Sequence, residues 1–281
     1  MPANSAARRL IKQALFPILN GPAYQYLQGA SKAWDTRAGN WTEPELDLIP
    51  FAVRKGDTVL DLGANFGMYT YHLSHAVGPK GLVYAFEPVP STFSALRVAT
   101  RLLRLRNVEL IEKGCSETSG EITFTVPLQT SGALSAGQAY IGGRNDERDG
   151  KEGQVRWQGT QDVVCQVVVL DEYLPPIEEL SLIKCDIEGA ELLAFRGAAQ
   201  LIKKHRPTVI CEINPWFLEG FGLELSDLTS FFLDQDYNLY HYRVNSGHRQ
   251  LRPVRLEDII EDNYVFIHPS RLKRFDDLLA N

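Results

Sequence analysis

The 281-residue chain has only four cysteines and no CxxC pair, which leaves it without a disulfide framework or a thiolate zinc motif. Cys115, Cys165, Cys185 and Cys211 are scattered and are expected as reduced core residues. No apolar run approaches the roughly 20 residues that span a bilayer, so no membrane span is expected. Arg8, Arg9 and Lys12 precede an apolar stretch at 14–19, but Pro17 breaks it and it is too short for a secretory signal. A cytoplasmic location is the expectation. Basic excess is missing too: 29 Lys and Arg stand against 35 Asp and Glu, and the net charge of -6 argues against nucleic acid as the main partner. There is no internal repeat and no low-complexity tract. The 44% hydrophobic content is enough for one large domain with an extension.

What is present is an alternation of short apolar runs with helical stretches. Residues 1 to about 35 read as one or two amphipathic helices interrupted at Pro17 and Gly21-Pro22; packing on the domain or joining copies in a homo-oligomer is favoured over a weak membrane-surface or partner-binding helix built on Arg8, Arg9 and Lys12 against Leu10, Ile11, Leu15 and Phe16. A further helix is expected from Trp41 to Pro50, with Thr42 as its N-cap. Val59-Leu60-Asp61-Leu62 is a buried strand, and the turn Gly63-Ala64-Asn65-Phe66-Gly67 leads into a helix over 67–76. Strands over 81–87 and 108–112 flank a helix over 91–105 capped by Ser91. The rhythm breaks at 114–169, where 121–126 and 163–170 read as antiparallel strands around a polar loop, 137–162. It resumes with a strand at 180–186, a helix at 189–205, a strand at 208–213 and a helix from Ser226. The last two strands, at 237–242 and 263–268, are joined by a polar excursion. The predicted fold class is α/β: a Rossmann-like, seven-stranded, mostly parallel sheet. The expected layout is an N-terminal helical extension (1–50) and a main domain (51–281) with an inserted β-hairpin and loop (114–169).

The turn is the first chemical signal. A dinucleotide fold wants G-x-G-x-x-G, and this chain has D-x-G-x-x-x-G instead. Glu87, 20 residues after Gly67, closes the second strand, where a carboxylate can accept both ribose hydroxyls of an adenosine. A glycine turn with a distant acid suits a nucleoside ligand without pyrophosphate, and S-adenosylmethionine is the obvious one. Asp61, at the end of the first strand, is a candidate acceptor for ligand hydrogen bonds.

Residues 59–67 with Glu87-Pro88 resemble motifs I and II of class I S-adenosylmethionine-dependent methyltransferases. Leu170-Asp171, then Lys184-Cys185-Asp186-Ile187-Glu188-Gly189-Ala190-Glu191 and the run from Pro207 to Glu212, resemble the FkbM family in order and spacing. The resemblance covers about 43–242. It implies methyl transfer to hydroxyls, often of sugars or other small natural products, with Asp61, Gly63, Asn65, Phe66, Gly67, Glu87, Pro88 and Asp186 contacting the donor.

The donor is already activated, so the protein must position the acceptor hydroxyl and help remove its proton. Asp186 and Glu212 end adjacent strands and are the candidate catalytic pair, one raising the pKa of the other. Alternatively Asp186, Glu212 and Asn214 hold a divalent cation such as magnesium through oxygen ligands; catechol-type methyltransferases, similar in this half of the fold, use acids and an amide at these strand ends. Glu188 and Glu191 are expected on one helix face, where complementing the helix dipole competes with a role in the site. Lys184 is expected to snorkel or to pair with a nearby acid. Tyr140 and Trp157 are candidates for stacking on an acceptor recognised by the insertion, and His241 is a spare base. Asn214-Pro215-Trp216 lacks the second proline of N-P-P-[YF], which weighs against base methylation. The acceptor expected is therefore a small-molecule hydroxyl. The alternatives are a nucleic-acid or protein methyltransferase, or a silent donor-binding scaffold.

Overall fold

The computed structural model describes residues 21–129, 140–141, 157–245 and 247–279. The first twenty residues, with Arg8, Arg9, Lys12 and Pro17, most of the 137–162 loop, and the side chains of Tyr140 and Trp157 lie outside the described residues. Twelve strands are described: β1 (Thr58–Leu62), β2 (Leu82–Phe86), β3 (Val108–Ile111), β4 (Gly114–Cys115), β5 (Gly120–Gln129), β6 (Tyr140–Ile141), β7 (Trp157–Val168), β8 (Leu180–Cys185), β9 (Thr208–Ile213), β10 (Asn238–Asn245), β11 (His248–Pro253) and β12 (Asp262–Ile267). They form an eight-stranded sheet, order β11-β10-β12-β9-β8-β1-β2-β3, and a four-stranded sheet, order β4-β7-β5-β6. The strands from β9 to β3 pair in parallel, and β12, β10 and β11 add antiparallel neighbours. This is the α/β Rossmann-like arrangement.

The chain reverses direction across the sheet at β1, where β8 lies on one side and β2 on the other. Crossover helices put apolar cover on both faces, so β1 and β8 are almost wholly buried. The helices that place the site are α1 (Pro22–Arg37), α2 (Met68–Val77), α3 (Pro90–Leu102), α4 (Glu191–Arg196), α5 (Ala199–His205), α6 (Pro215–Gly220) and α7 (Leu225–Leu233). One core fills the face lined by α4, α5 and α7, with Phe195, Phe232 and Phe266 at its centre. The other, around Leu73, Leu96, Val265 and Phe275, lies under α2 and the segment before β1. Helix α1 packs on α3. Gly29 makes that crossing close, since a Cβ there would stand 2.4 Å from the Ala95 carbonyl oxygen.

Several sequence expectations change. The sheet has eight strands, not seven, because the polar excursion contains β11. Only Leu251 of that edge strand is buried, so it has no apolar alternation to read. The helix expected at 189–205 is two helices. The Gly197 carbonyl accepts the Asp171 N–H, and both Asp171 oxygens accept N–H groups from the first turn of α5 (Gln200 2.8 Å, Leu201 2.9 Å). The expected caps shift. Pro90 opens α3, so Ser91 lies inside the first turn, and Glu224 with Asp227 forms a capping box on α7, not Ser226. Residues 41–50 make a 3₁₀ turn (Pro44–Leu48) and a single helical turn (Ile49–Ala52), with no side-chain cap from Thr42. The hairpin of the insertion is longer than expected and belongs to the separate four-stranded sheet. All four cysteines are free and buried. Among the described residues no helix is long and apolar enough to cross a membrane.

Candidate active site

The turn after β1 is built on positive φ: Gly63 at 80°, Asn65 at 49° and Gly67 at 88°. The N–H groups of Gly63 and Ala64 donate to the Phe86 carbonyl at 3.0 and 2.8 Å, which fastens the turn to the end of β2. On its other side the turn touches the exit of β8. A Cβ on Gly63 would lie 1.8 Å from the Asp186 carbonyl oxygen, so only glycine fits. The Asn65 N–H donates to Glu87 Oε2 at 3.0 Å, and the Val89 N–H to Oε1 at 3.0 Å. Burial pushes Glu87 up to about 7 against the pull of those two donors.

A cavity of about 210 Å³ opens along this edge. Its floor is Gly63, Asn65, Glu87, Pro88 and Val89; its far end carries Asp186, Glu188 and Glu212. The inserted sheet forms a wall with Gly114, Cys115, Ser116, Ile122, Phe124 and Val167. That wall stands at the Glu87 end: a Cβ at Gly114 would be 3.1 Å from Val167 and 3.6 Å from Pro88. The insertion therefore borders the Glu87-Pro88 floor; the acceptor contact expected of Tyr140 and Trp157 falls on side chains outside the described residues.

Of the residues picked out from the sequence, Gly63, Asn65, Glu87, Pro88, Asp186 and Glu212 come together around this space. Asp61, Phe66 and Gly67 do not line it. Asp61 is buried and accepts a short hydrogen bond from Thr70 Oγ1, which ties β1 to α2. Burial pushes Asp61 up to about 6, with Thr70 and Lys184 opposing. The Phe66 ring lies against Trp41, and Gly67 starts α2 where a Cβ would stand 2.8 Å from Leu96 Cδ1.

The Cys185–Cys211 register of β8 and β9 sets Asp186 and Glu212 side by side as the next residues. Glu188 joins them from a loop residue at φ 56°, ahead of α4 and not on its face. One carboxylate oxygen from each of Asp186, Glu188 and Glu212 lies within 4.8 Å of the others. Burial first, then Asp186, pushes Glu212 up to about 9, and burial with Glu212 and Asp186 holds Glu188 well above the usual carboxylate range. The Lys184 ammonium, fully buried, donates to Asn263 Oδ1 at 2.8 Å and stands 3.6 Å from Asp186 Oδ2. It pairs with Asp186 and does not snorkel.

Three expected members fall elsewhere. Asn214 Oδ1 accepts the N–H groups of Trp216 (3.0 Å) and Phe217 (3.4 Å), capping α6. Its oxygen is committed there, and the third oxygen donor beside Asp186 and Glu212 is Glu188. Glu191 Oε1 accepts the N–H groups of Ile187 and Gly189, both at 3.1 Å, and so shapes the loop that presents Glu188. His241 pairs with Asp262 at 3.0 Å on β10, away from the cavity lining. Sequence reading placed Glu188 on a helix. The Glu188-Gly189 pair was the signal for a tight turn there: a Cβ on Gly189, at φ 101°, would lie 2.6 Å from the Phe217 backbone.

The Methyltransferase FkbM domain model matches residues 61–239, which span the glycine turn, Glu87 and the three acids. Among curated proteins, Methyltransferase 1 of Beauveria bassiana (strain ARSEF 2860) is 28% identical over 159 residues, 54% of this chain and 61% of that one. The 31-O-demethyl-FK506 methyltransferase FkbM of Streptomyces tacrolimicus is 51% identical over 47 residues, 16% and 17% of the two chains. A crystal structure of Methyltransferase FkbM from Methylobacillus flagellatus KT aligns with 93% of this chain and 59% of its own, at 16% identity and a TM-score of 0.47. The chain spans about three-fifths of the length of the first curated relatives it matches. The match to the domain model covers well over half of the chain, including every acid of the cavity, and the chain belongs to the FkbM methyltransferase family.

Proposed function

We propose that this methyltransferase moves a methyl group from S-adenosylmethionine to a hydroxyl of a small molecule: a sugar, a glycan or a secondary metabolite. The observation that carries the reading is the single cavity with Glu87 at one end and the Asp186–Glu188–Glu212 cluster at the other. Glu87 suits the ribose hydroxyls of the donor, since each of its oxygens keeps a lone pair beyond the backbone N–H it accepts. The Asp186 carboxylate beside the cavity suits a cationic sulfonium ligand, and among the described residues no cationic side chain lines the cavity to hold a phosphate backbone, which supports a small acceptor over nucleic acid. The name of the Streptomyces relative, which acts on a 31-O position, supports oxygen as the acceptor atom.

In the reaction the acceptor oxygen attacks the methyl carbon in line with the sulfonium. The S–CH₃ bond breaks, its electron pair stays on sulfur, and the hydroxyl proton passes to a carboxylate. Asp186 is our base, because it stands beside the Lys184 ammonium (3.6 Å) while burial and neighbouring carboxylates hold Glu212 and Glu188 well above the usual carboxylate range. The catalytic unit in this reading is 51–281, with 1–50 as an extension and 114–169 as an insertion.

Titration calorimetry tests the donor assignment. The protein should bind S-adenosylmethionine, and Glu87→Ala should weaken it roughly 10- to 100-fold, the worth of charge-assisted hydrogen bonds; equal affinities would remove the ribose role. The clustered acids also favour a second reading, a divalent cation such as magnesium held by Asp186, Glu188 and Glu212. A turnover rate indifferent to chelator and to added magnesium would dismiss it.

A further inference from the structure

The roles above leave one polar corner beside Asp186 unused. The Trp41 ring lies 6.4 Å from that of Phe66, and the Lys32 ammonium sits 4.1 Å from the Trp41 ring and 5.1 Å from the Phe66 ring. These contacts pin the Glu43-Pro44-Glu45 segment against the glycine turn. Tyr69, in the first turn of α2, is 6% exposed and Glu45 only 3%. Even so, the Tyr69 hydroxyl and one carboxylate oxygen on each of Glu43 and Glu45 are buried without a hydrogen-bond partner. Buried polar atoms are normally satisfied, and groups left over are commonly kept for chemistry or binding.

These groups face one another. After burial itself, the charges of Glu43 and Glu45, an approach of the phenol O–H toward the Glu43 carboxylate and the charge of Asp186 hold Tyr69 far above its ordinary range, so the phenol oxygen is left to accept and Glu43 to accept further. The Lys184 ammonium sits 5.0 Å from the Tyr69 ring centroid, but it is already engaged by Asn263 and Asp186. The corner therefore offers uncommitted acceptors and a surplus of negative charge, which suits a small primary ammonium.

The inference that follows rests on the donor reading above. In S-adenosylmethionine the adenosine and the amino-acid end leave the sulfonium in different directions. With the adenosine directed to Glu87 and the sulfonium beside Asp186, the amino-acid end is directed past the glycine turn, away from β2. We propose that Glu43 and Tyr69 bind the α-ammonium of the donor's amino-acid end, with Glu45 behind them.

The test compares two ligands on the full chain by titration calorimetry. S-adenosylhomocysteine carries the amino-acid end; 5′-methylthioadenosine has the same adenosine and thioether without it. The wild-type protein should prefer the first by about 100-fold, and Glu43→Gln or Tyr69→Phe should each cut its affinity about 10-fold while leaving 5′-methylthioadenosine unchanged. Wild-type affinities that are equal, or variants that weaken both ligands alike or neither, overturn the ammonium site while the donor reading stands. Binding of neither ligand by the wild type overturns the donor reading, and this proposal with it.

Discussion

Burial first, and then the facing Asp186, push Glu212 up to about 9 in the folded protein, from an ordinary value of 4.5. The folded protein therefore binds more protons than the unfolded chain between those values. Stability must fall as pH rises through that window. Glu212→Gln keeps the shape and removes the charge. We expect it to raise Tm by about 2–4 °C at pH 8, the effect of roughly 1 kcal/mol in a chain of this size, and to do almost nothing at pH 5. Thermal unfolding at the two pH values decides it, and an equal shift at both would mean that Glu212 is not held protonated. Glu188 slopes the same way, so the paired variant should flatten the profile further. The mutual effect of Asp186 and Glu212 was readable from their adjacent strand ends; the burial that leads it, and the approach of Glu188, were not, because an acid in a sequence looks the same whether it is buried or solvated.

At the scale of elements, Asp171 shows how a resemblance motif can be architectural. Its two oxygens start α5 while its own N–H holds the Gly197 carbonyl, so one residue breaks and restarts the helical run. Removing a side-chain cap costs about 1–2 kcal/mol. Asp171→Ala should lower Tm by several degrees with S-adenosylhomocysteine affinity unchanged; a lost affinity at unchanged Tm would place Asp171 in the site instead. Strands β1, β2, β8 and β9 were legible to within a residue or two, because burial on both faces writes them as largely apolar runs, interrupted by single polar residues such as Asp61 and Lys184, between glycine or polar signals. Edge strand β11, with arginines at 249 and 252, left no such trace. The helix starts at Pro90 and Glu224 were misplaced by one or two residues because serine was preferred over proline and glutamate as a start signal. The break at Gly197 depends on Asp171, 26 residues away in sequence, and no local pattern encodes it.

For the whole molecule, the lesson is which half of the cavity each layer supplies. The large sheet provides the turn and, at its strand ends, Glu87, Asp186 and Glu212, which were found from the sequence; Glu188 comes from the loop after β8, where the sequence had been read as helix. The small sheet provides Phe124 and Val167, which read as ordinary strand residues because nothing in an alternating pattern says what its apolar face covers. We expect Phe124→Ala to weaken S-adenosylhomocysteine binding about 10-fold through lost apolar contact. Unchanged affinity in calorimetry would detach the insertion from donor binding. One contact between the halves of the large sheet also bears on how this protein can vary. At Gly67 an added Cβ meets the tip of the Leu96 side chain, which a smaller residue at 96 would clear, leaving only the backbone cost of φ 88°. At Gly63 the obstacle is the Asp186 backbone, which every amino acid carries. No compensating substitution at 186 can make room. Position 63 is thus closed to rescue by a second mutation there, whereas position 67 has a two-step route open to it.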